Sequence, residues 1–202
     1  MNKIFNIFIQ RITLKMAIIF TLLFITFFYV INFSDLGVSG LLKITDGANI
    51  LDFEFGYSKD EAYQILTALG IEGRTFYLKK ILPIDFLFPL SYMFIYAGWI
   101  AFLIKYIYGI RLEDKTITYN KLFNNLLYLP IFAALFDFIE NVGIIFLLIN
   151  YPSLPSWSTY IASYAGILKT VFTIGSMAIT VVFIFIFIIV IFKKMLIKKR
   201  NN

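Results

Sequence analysis

Two carboxylates and an amide, Asp137, Glu140 and Asn141, stand in the stretch Phe136-Asp137-Phe138-Ile139-Glu140-Asn141, inside one of the most apolar parts of the chain. On a helix, residues three and four apart share a face, so the three side chains project together. An ionised group in hydrocarbon costs at least a few kcal/mol unless it is paired or hydrated, so that face is expected to look inward. Two carboxylates one turn apart in a poorly solvated site resist ionising together, and the pair is expected to share a proton and titrate as a unit. Such a pair suits proton-coupled binding or transport, or acid/base catalysis. It equally suits a buried structural network that glues helices together.

A second set lies upstream. Asp85, Pro89, Tyr92, Tyr96 and Trp99 follow one another at helical spacings and form one stripe, polar at its Asp85 end. Pro89 lacks a backbone donor, which leaves a carbonyl free for a ligand, a water or a neighbouring side chain. Lys169 is the only basic residue between Lys121 and Lys193 and is the natural counter-charge. Its depth depends on where the last span starts: near Tyr160 it lies as deep as Glu140, near Thr170 it reaches Asp85 from the outer interface.

The elements that must position these residues are membrane spans. The chain of 202 residues is 60% hydrophobic and 19% aromatic, and its mean hydropathy is +0.85, well beyond a soluble domain of this size. A helix needs about 20 largely apolar residues to cross the hydrocarbon. Apolar windows bounded by charge place spans at residues 17–33, 82–106, 127–150 and 160–192, and the third is closed by Tyr151-Pro152-Ser153-Leu154-Pro155. The fold expected is all-α, a bundle of four transmembrane helices. Residues 1–16 form an N-terminus, 34–81 and 151–159 outside connections, 107–126 an inside connection and 193–202 a basic tail. The apolar core of the first span, about 17 residues, exceeds a usual secretory h-region, so an uncleaved span is expected; cleavage would leave three.

Lys and Arg outside the spans set orientation. Lys3, Arg11 and Lys15 precede the first span, Lys105, Arg111, Lys115 and Lys121 flank the second connection, and Lys193, Lys194, Lys198, Lys199 and Arg200 close the chain. The stretch from Asn32 to Lys80 carries seven acidic residues against five basic ones. Both termini are therefore expected in the cytoplasm, and the formal charge of +6 reads as topology, with no nucleic-acid partner. The tail could also hold anionic lipid headgroups. Tyr29, Tyr106, Tyr108, Tyr128, Tyr151, Trp157 and Tyr160 fit an interfacial aromatic belt.

Cysteine and histidine are both absent. Disulfides, thiol nucleophiles, Cys- or His-held metals and a His base are excluded, which leaves carboxylate, lysine, hydroxyl or tyrosine chemistry. No cofactor and no metal site is expected; a hard cation such as Mg²⁺ or Ca²⁺ is the one kind these donors would suit. In the long outside connection, Asn49 to Tyr57 partly alternates apolar and acidic residues and reads as a short strand or extended segment. Ser58-Lys59-Asp60-Glu61 fits a capping box opening a helix over 59–69, with Ala62, Ile65, Leu66 and Leu69 on one face and Gly70 as its stop. This helix is either a small lid or a packed connector.

Taken together, Ile50-Leu51-Asp52, Gly56-Tyr57-Ser58, Leu69-Gly70 with Gly73-Arg74 and Tyr77, Asp85 with Phe88-Pro89 and Tyr92, Phe136-Asp137 with Glu140-Asn141, and Leu168-Lys169 resemble a family of functionally uncharacterised bacterial four-span integral membrane proteins. The resemblance covers roughly residues 50–169. It implies a four-span fold in a bacterial plasma membrane and brings in Arg74, which would cap the charged cluster from the lid. No catalytic role is carried over. The function expected is binding or movement of a small molecule, lipid or proton, with Asp137 and Glu140 as acidic centre, Asn141 beside them, Lys169 and Arg74 as counter-charges, and Asp85 with Tyr92 at the entrance. The alternatives are an intramembrane enzyme acting on lipid through carboxylate acid/base chemistry, and a structural partner of a larger membrane complex.

Overall fold

The computed structural model describes residues 2–111 and 121–201. The centre of the expected inside connection, with Lys115, lies outside the described residues. The chain is all-α, and no strand occurs among the described residues. The helices are α1 (Asn2–Arg11), α2 (Leu14–Phe33), α3 (Val38–Ile44), α4 (Lys59–Ala68), α5 (Gly70–Phe76), α6 (Leu82–Asp85), α7 (Phe88–Arg111), α8 (Lys121–Leu126), α9 (Tyr128–Asn150) and α10 (Ser156–Asn201). A π-helical stretch, Tyr77–Ile81, joins α5 to α6. Four helical runs are long and apolar enough to cross a membrane, at Leu14–Ile44, Gly70–Ile107, Tyr128–Asn150 and Ser156–Ile197.

Apolar chains with little room for charge pack by shape rather than by hydrophobicity, so small residues decide which helices meet closely. The most extensive contact is between α9 and α10. A Cβ added at Gly143 would lie 2.7 Å from the Cβ of Ala162, so α9 and α10 touch backbone to backbone there. α7 packs against both, while α2 packs chiefly against α7. Trp99 Nε1 of α7 donates to Thr21 Oγ1 of α2 at 2.9 Å, and Phe20 stacks on Phe94. The second and third spans thus form the interior, and the first leans on it from one side.

α1 is held beneath the bundle. Thr13 caps α2 by accepting from the Met16 amide, and Lys105 donates to Gln10 O in the last turn of α1 and to Ile12 O just past it, at 2.8 Å each, where the helix end favours a cation. Ile9 and Ile12 are buried against Ala97, Ile100, Ala101 and Ile104 of α7.

The long connection between the first two spans folds as a helical cap. Ser58 and Glu61 form a capping box at the start of α4; the two hydrogen bonds between them hold the exposed Glu61 carboxyl below its ordinary pKa. Ala62, Leu66 and Leu69 share one buried core with Ile144, Leu147 and Leu148 of α9, and α4 itself meets α10. Gly70 sits at φ +63, which a glycine adopts without steric cost; it ends α4, and the chain re-enters helix at once as α5. In place of a strand over Asn49 to Tyr57 there is a 3-10 turn, Leu51–Phe53. The physical reason is that no second strand is available to share its backbone hydrogen bonds, and Ile50 and Leu51 are both pulled into the core under the cap.

Candidate functional site

α9 is wholly buried at Glu140 and Asn141 and nearly so at Asp137. All three face inward, as their spacing on one helix face requires. α10 starts at Ser156, so Lys169 lies thirteen residues along it, about 20 Å by helical rise, and it sits at the depth of Glu140. Its ammonium is 2.5 Å from Glu140 Oε2, 3.7 Å from Asp137 Oδ1 and 3.8 Å from Asp52 Oδ1. Gly166, one turn before Lys169, makes this possible: a Cβ there would collide with Glu140 Oε1.

α7 supplies the next group. Tyr92 OH donates to Asp137 Oδ2 at 2.9 Å, which orients the carboxylate that Lys169 faces. Pro89 acts as its chemistry requires. Its ring nitrogen cannot donate to the Asp85 carbonyl one turn earlier, and that carbonyl instead accepts from Asn141 Nδ2 of α9 at 3.3 Å. Helix α6 ends at Asp85 and α7 opens at Phe88, so the chain turns ahead of Pro89 rather than kinking at it.

The cap contributes residues that the spans' own pattern does not reveal. Asp52, on the 3-10 turn, accepts a very short hydrogen bond from Tyr77 OH and faces Lys169. Gly56, at φ +80, approaches α10 so closely that a Cβ would lie 2.7 Å from Ile167 Cδ1. The next amide, Tyr57 N–H, donates to Ser163 Oγ of α10 at 2.8 Å. Burial raises the Tyr57 phenol well above its ordinary pKa, and Glu140 and Asp52 add to the effect while Lys169 opposes it. Tyr57 therefore stays a neutral hydroxyl beside the carboxylates. In a sequence, Asp52 looks like any charge in a connecting segment; its only signal was its place after Ile50-Leu51 in the motif set.

One expected member is absent from the cluster. Arg74 does not cap the carboxylates: its Nη1 donates to Leu66 O at 2.6 Å and its guanidinium lies 3.9 Å over the Tyr151 ring. The physical reason is position: α5 carries it to the outer side of the cap, where an aromatic face and the free carbonyl of α4 are the partners in reach.

Four carboxyl groups (Asp52, Asp85, Asp137 and Glu140) thus surround one ammonium. The oxygens of Asp52, Asp137 and Glu140 lie within 4.8 Å of one another, with Lys169 among them. Against this cluster opens a cavity of about 310 Å³. Its polar end is formed by Asp52, Asp85, Asp137 and Lys169, and its walls by Phe24 and Phe28 of α2, Phe88 and Tyr92 of α7, and Thr173 and Ile174 of α10. α2 and α10 both contribute walls to this space, and each packs against α7. Such an arrangement can hold a molecule by one polar group and shield the rest in an apolar slot. It can also pass a proton between Tyr92, Asp137, Lys169 and Glu140. Comparison with protein-family models, with curated proteins and with solved structures gives no match to this chain.

Proposed function

We propose that this protein binds a small amphipathic molecule or lipid within the membrane, with its polar group at the Asp52, Asp85, Asp137, Glu140 and Lys169 cluster and its apolar part between α2, α7 and α10. The observation that carries this reading is an otherwise largely apolar cavity whose charged lining, Asp52, Asp85, Asp137 and Lys169, belongs to the one cluster. Four carboxyl groups and one ammonium in a dry cluster cannot all be ionised without further positive charge, so a proton or a ligand must complete the balance. Movement of the ligand, coupled to protonation of the carboxylates, fits the same geometry. The distribution of Lys and Arg supports both termini in the cytoplasm, and the family resemblance supports a bacterial plasma membrane.

The test is native mass spectrometry of protein released from lipid nanodiscs, wild type against Thr173→Trp, whose indole would fill the cavity. The wild type is expected to retain an amphipath that the variant lacks. Identical adducts on both would contradict the reading. A second reading, a lipid-modifying enzyme, is favoured by the grouping of Asp52, Asp137 and Glu140 oxygens, which would suit a hard divalent cation. A rise in unfolding temperature with Mg²⁺ or Ca²⁺ that is lost in Asp52→Asn supports it; no change with either ion counts against it.

A further inference from the structure

Asp85 is the one carboxyl of the cluster without an ion pair among the described residues, since Lys169 reaches the other three. It is only 6% exposed, it lines the cavity, and its Oδ2 has no hydrogen-bond partner. Asn141 Nδ2 donates to the backbone carbonyl of Asp85 at 3.3 Å. Asp52 Oδ1, Asp137 Oδ1 and Asn141 Oδ1 are also buried without a hydrogen bond, against one buried hydroxyl in the same condition, Tyr57 OH. The site therefore holds a surplus of acceptors over donors, and buried acceptors left unmatched are costly. What would complete it is a donor or a cation, and an anionic headgroup would meet like charge.

The walls point the same way. Phe24, Phe28, Phe53, Phe88, Tyr92 and Tyr96 all line the cavity, and aromatic faces attract an organic cation once water is excluded. Resting on the cavity reading above, we infer that the ligand is a lipophilic organic cation, with its charge against Asp85 and its apolar body among these rings. A small hydrated ion would use the oxygens and leave the rings idle; a neutral lipid would use the rings and leave Asp85 unmatched. A carboxyl that keeps its own proton would need no cation, and the experiment separates that case.

Full-length protein in nanodiscs of zwitterionic lipid is titrated with tetraphenylphosphonium and with tetraphenylborate, which share shape and apolarity and differ in charge. Binding is counted above empty nanodiscs. The phosphonium is expected to bind saturably to the wild type and to Asp85→Glu, about tenfold or more weakly to Asp85→Asn, and not to Thr173→Trp; the borate is expected not to saturate. If both ions bind equally and Thr173→Trp abolishes both, the cavity reading stands and the cation inference falls. If Thr173→Trp changes neither, the cavity reading itself falls. Equal affinity of wild type and a folded Asp85→Asn also overturns the inference, and should that variant not fold, the contrast between the two ions on the wild type decides. A dialkyldimethylammonium lipid added to the bilayer then distinguishes sources: displacement of the phosphonium assigns the cation to a lipid headgroup, and persistence assigns it to a free molecule.

Discussion

Removing the ammonium of Lys169 would leave four largely buried carboxyl groups facing one another. Breaking a buried pair by deleting one partner strands the other and costs about 3 to 5 kcal/mol, so Lys169→Met is expected to unfold at a markedly lower temperature. Glu140, 2.5 Å from that ammonium, is the largest part of the liability. Adding Glu140→Gln to Lys169→Met should therefore recover part of the loss, measured as a double-mutant cycle in nanodiscs. Additive losses would mean that the two side chains are not coupled, and that Lys169 serves Asp52 and Asp137 instead. At this scale Asp137, Glu140, Asn141, Asp85 and Lys169 were legible, because charge within an apolar window is conspicuous by cost alone. Asp52 was not, since a carboxylate in a connection of mixed charge looks solvated until the chain folds back onto α10. Arg74 was misplaced for the same reason: its reach was visible, its direction was not.

The packing of α9 on α10 sets the distance between the carboxylates and Lys169. Gly143 meets Ala162 with no space for a side chain, and Gly166 gives the Glu140 carboxylate its room. Gly143→Leu is expected to cost about 1 to 3 kcal/mol by overpacking and to pull Lys169 away from Glu140, so it should also weaken ligand binding. The check is thermal unfolding together with the phosphonium titration; unchanged values in both would show that the two helices need not approach this closely. Among the elements, α4 with its capping box was readable from Ser58 and Glu61, and the free carbonyl left by Pro89 was readable from proline chemistry. The identity of its partner, Asn141, was not, because it comes from a helix 56 residues away. The 3-10 turn over Leu51–Phe53 escaped for a related reason. Local alternation says which residues are apolar, and tertiary burial decides whether they lie along a strand or turn into a core.

On the scale of the molecule, four spans follow from hydropathy and length, and the bundle agrees with them. The order in which they pack does not follow, because most of each helix surface is apolar and lipid competes equally with protein for it. The absence of cysteine makes orientation directly measurable. Single cysteines at Ser153 and Gly47 are expected to react with an impermeant maleimide applied to intact cells, and one at Lys194 only after lysis; the reverse pattern would invert the topology.

The cavity between α2, α7 and α10 is the centre of this account, and photolabelling with a diazirine-bearing amphipathic ammonium in nanodiscs tests it most directly. Adducts mapped by peptide mass spectrometry are expected on Phe24 and Phe28 of α2 and on Thr170 and Ile174 of α10, and to disappear in Thr173→Trp. Labelling spread over outward-facing residues such as Ile25 and Phe185, and unchanged by Thr173→Trp, would contradict it.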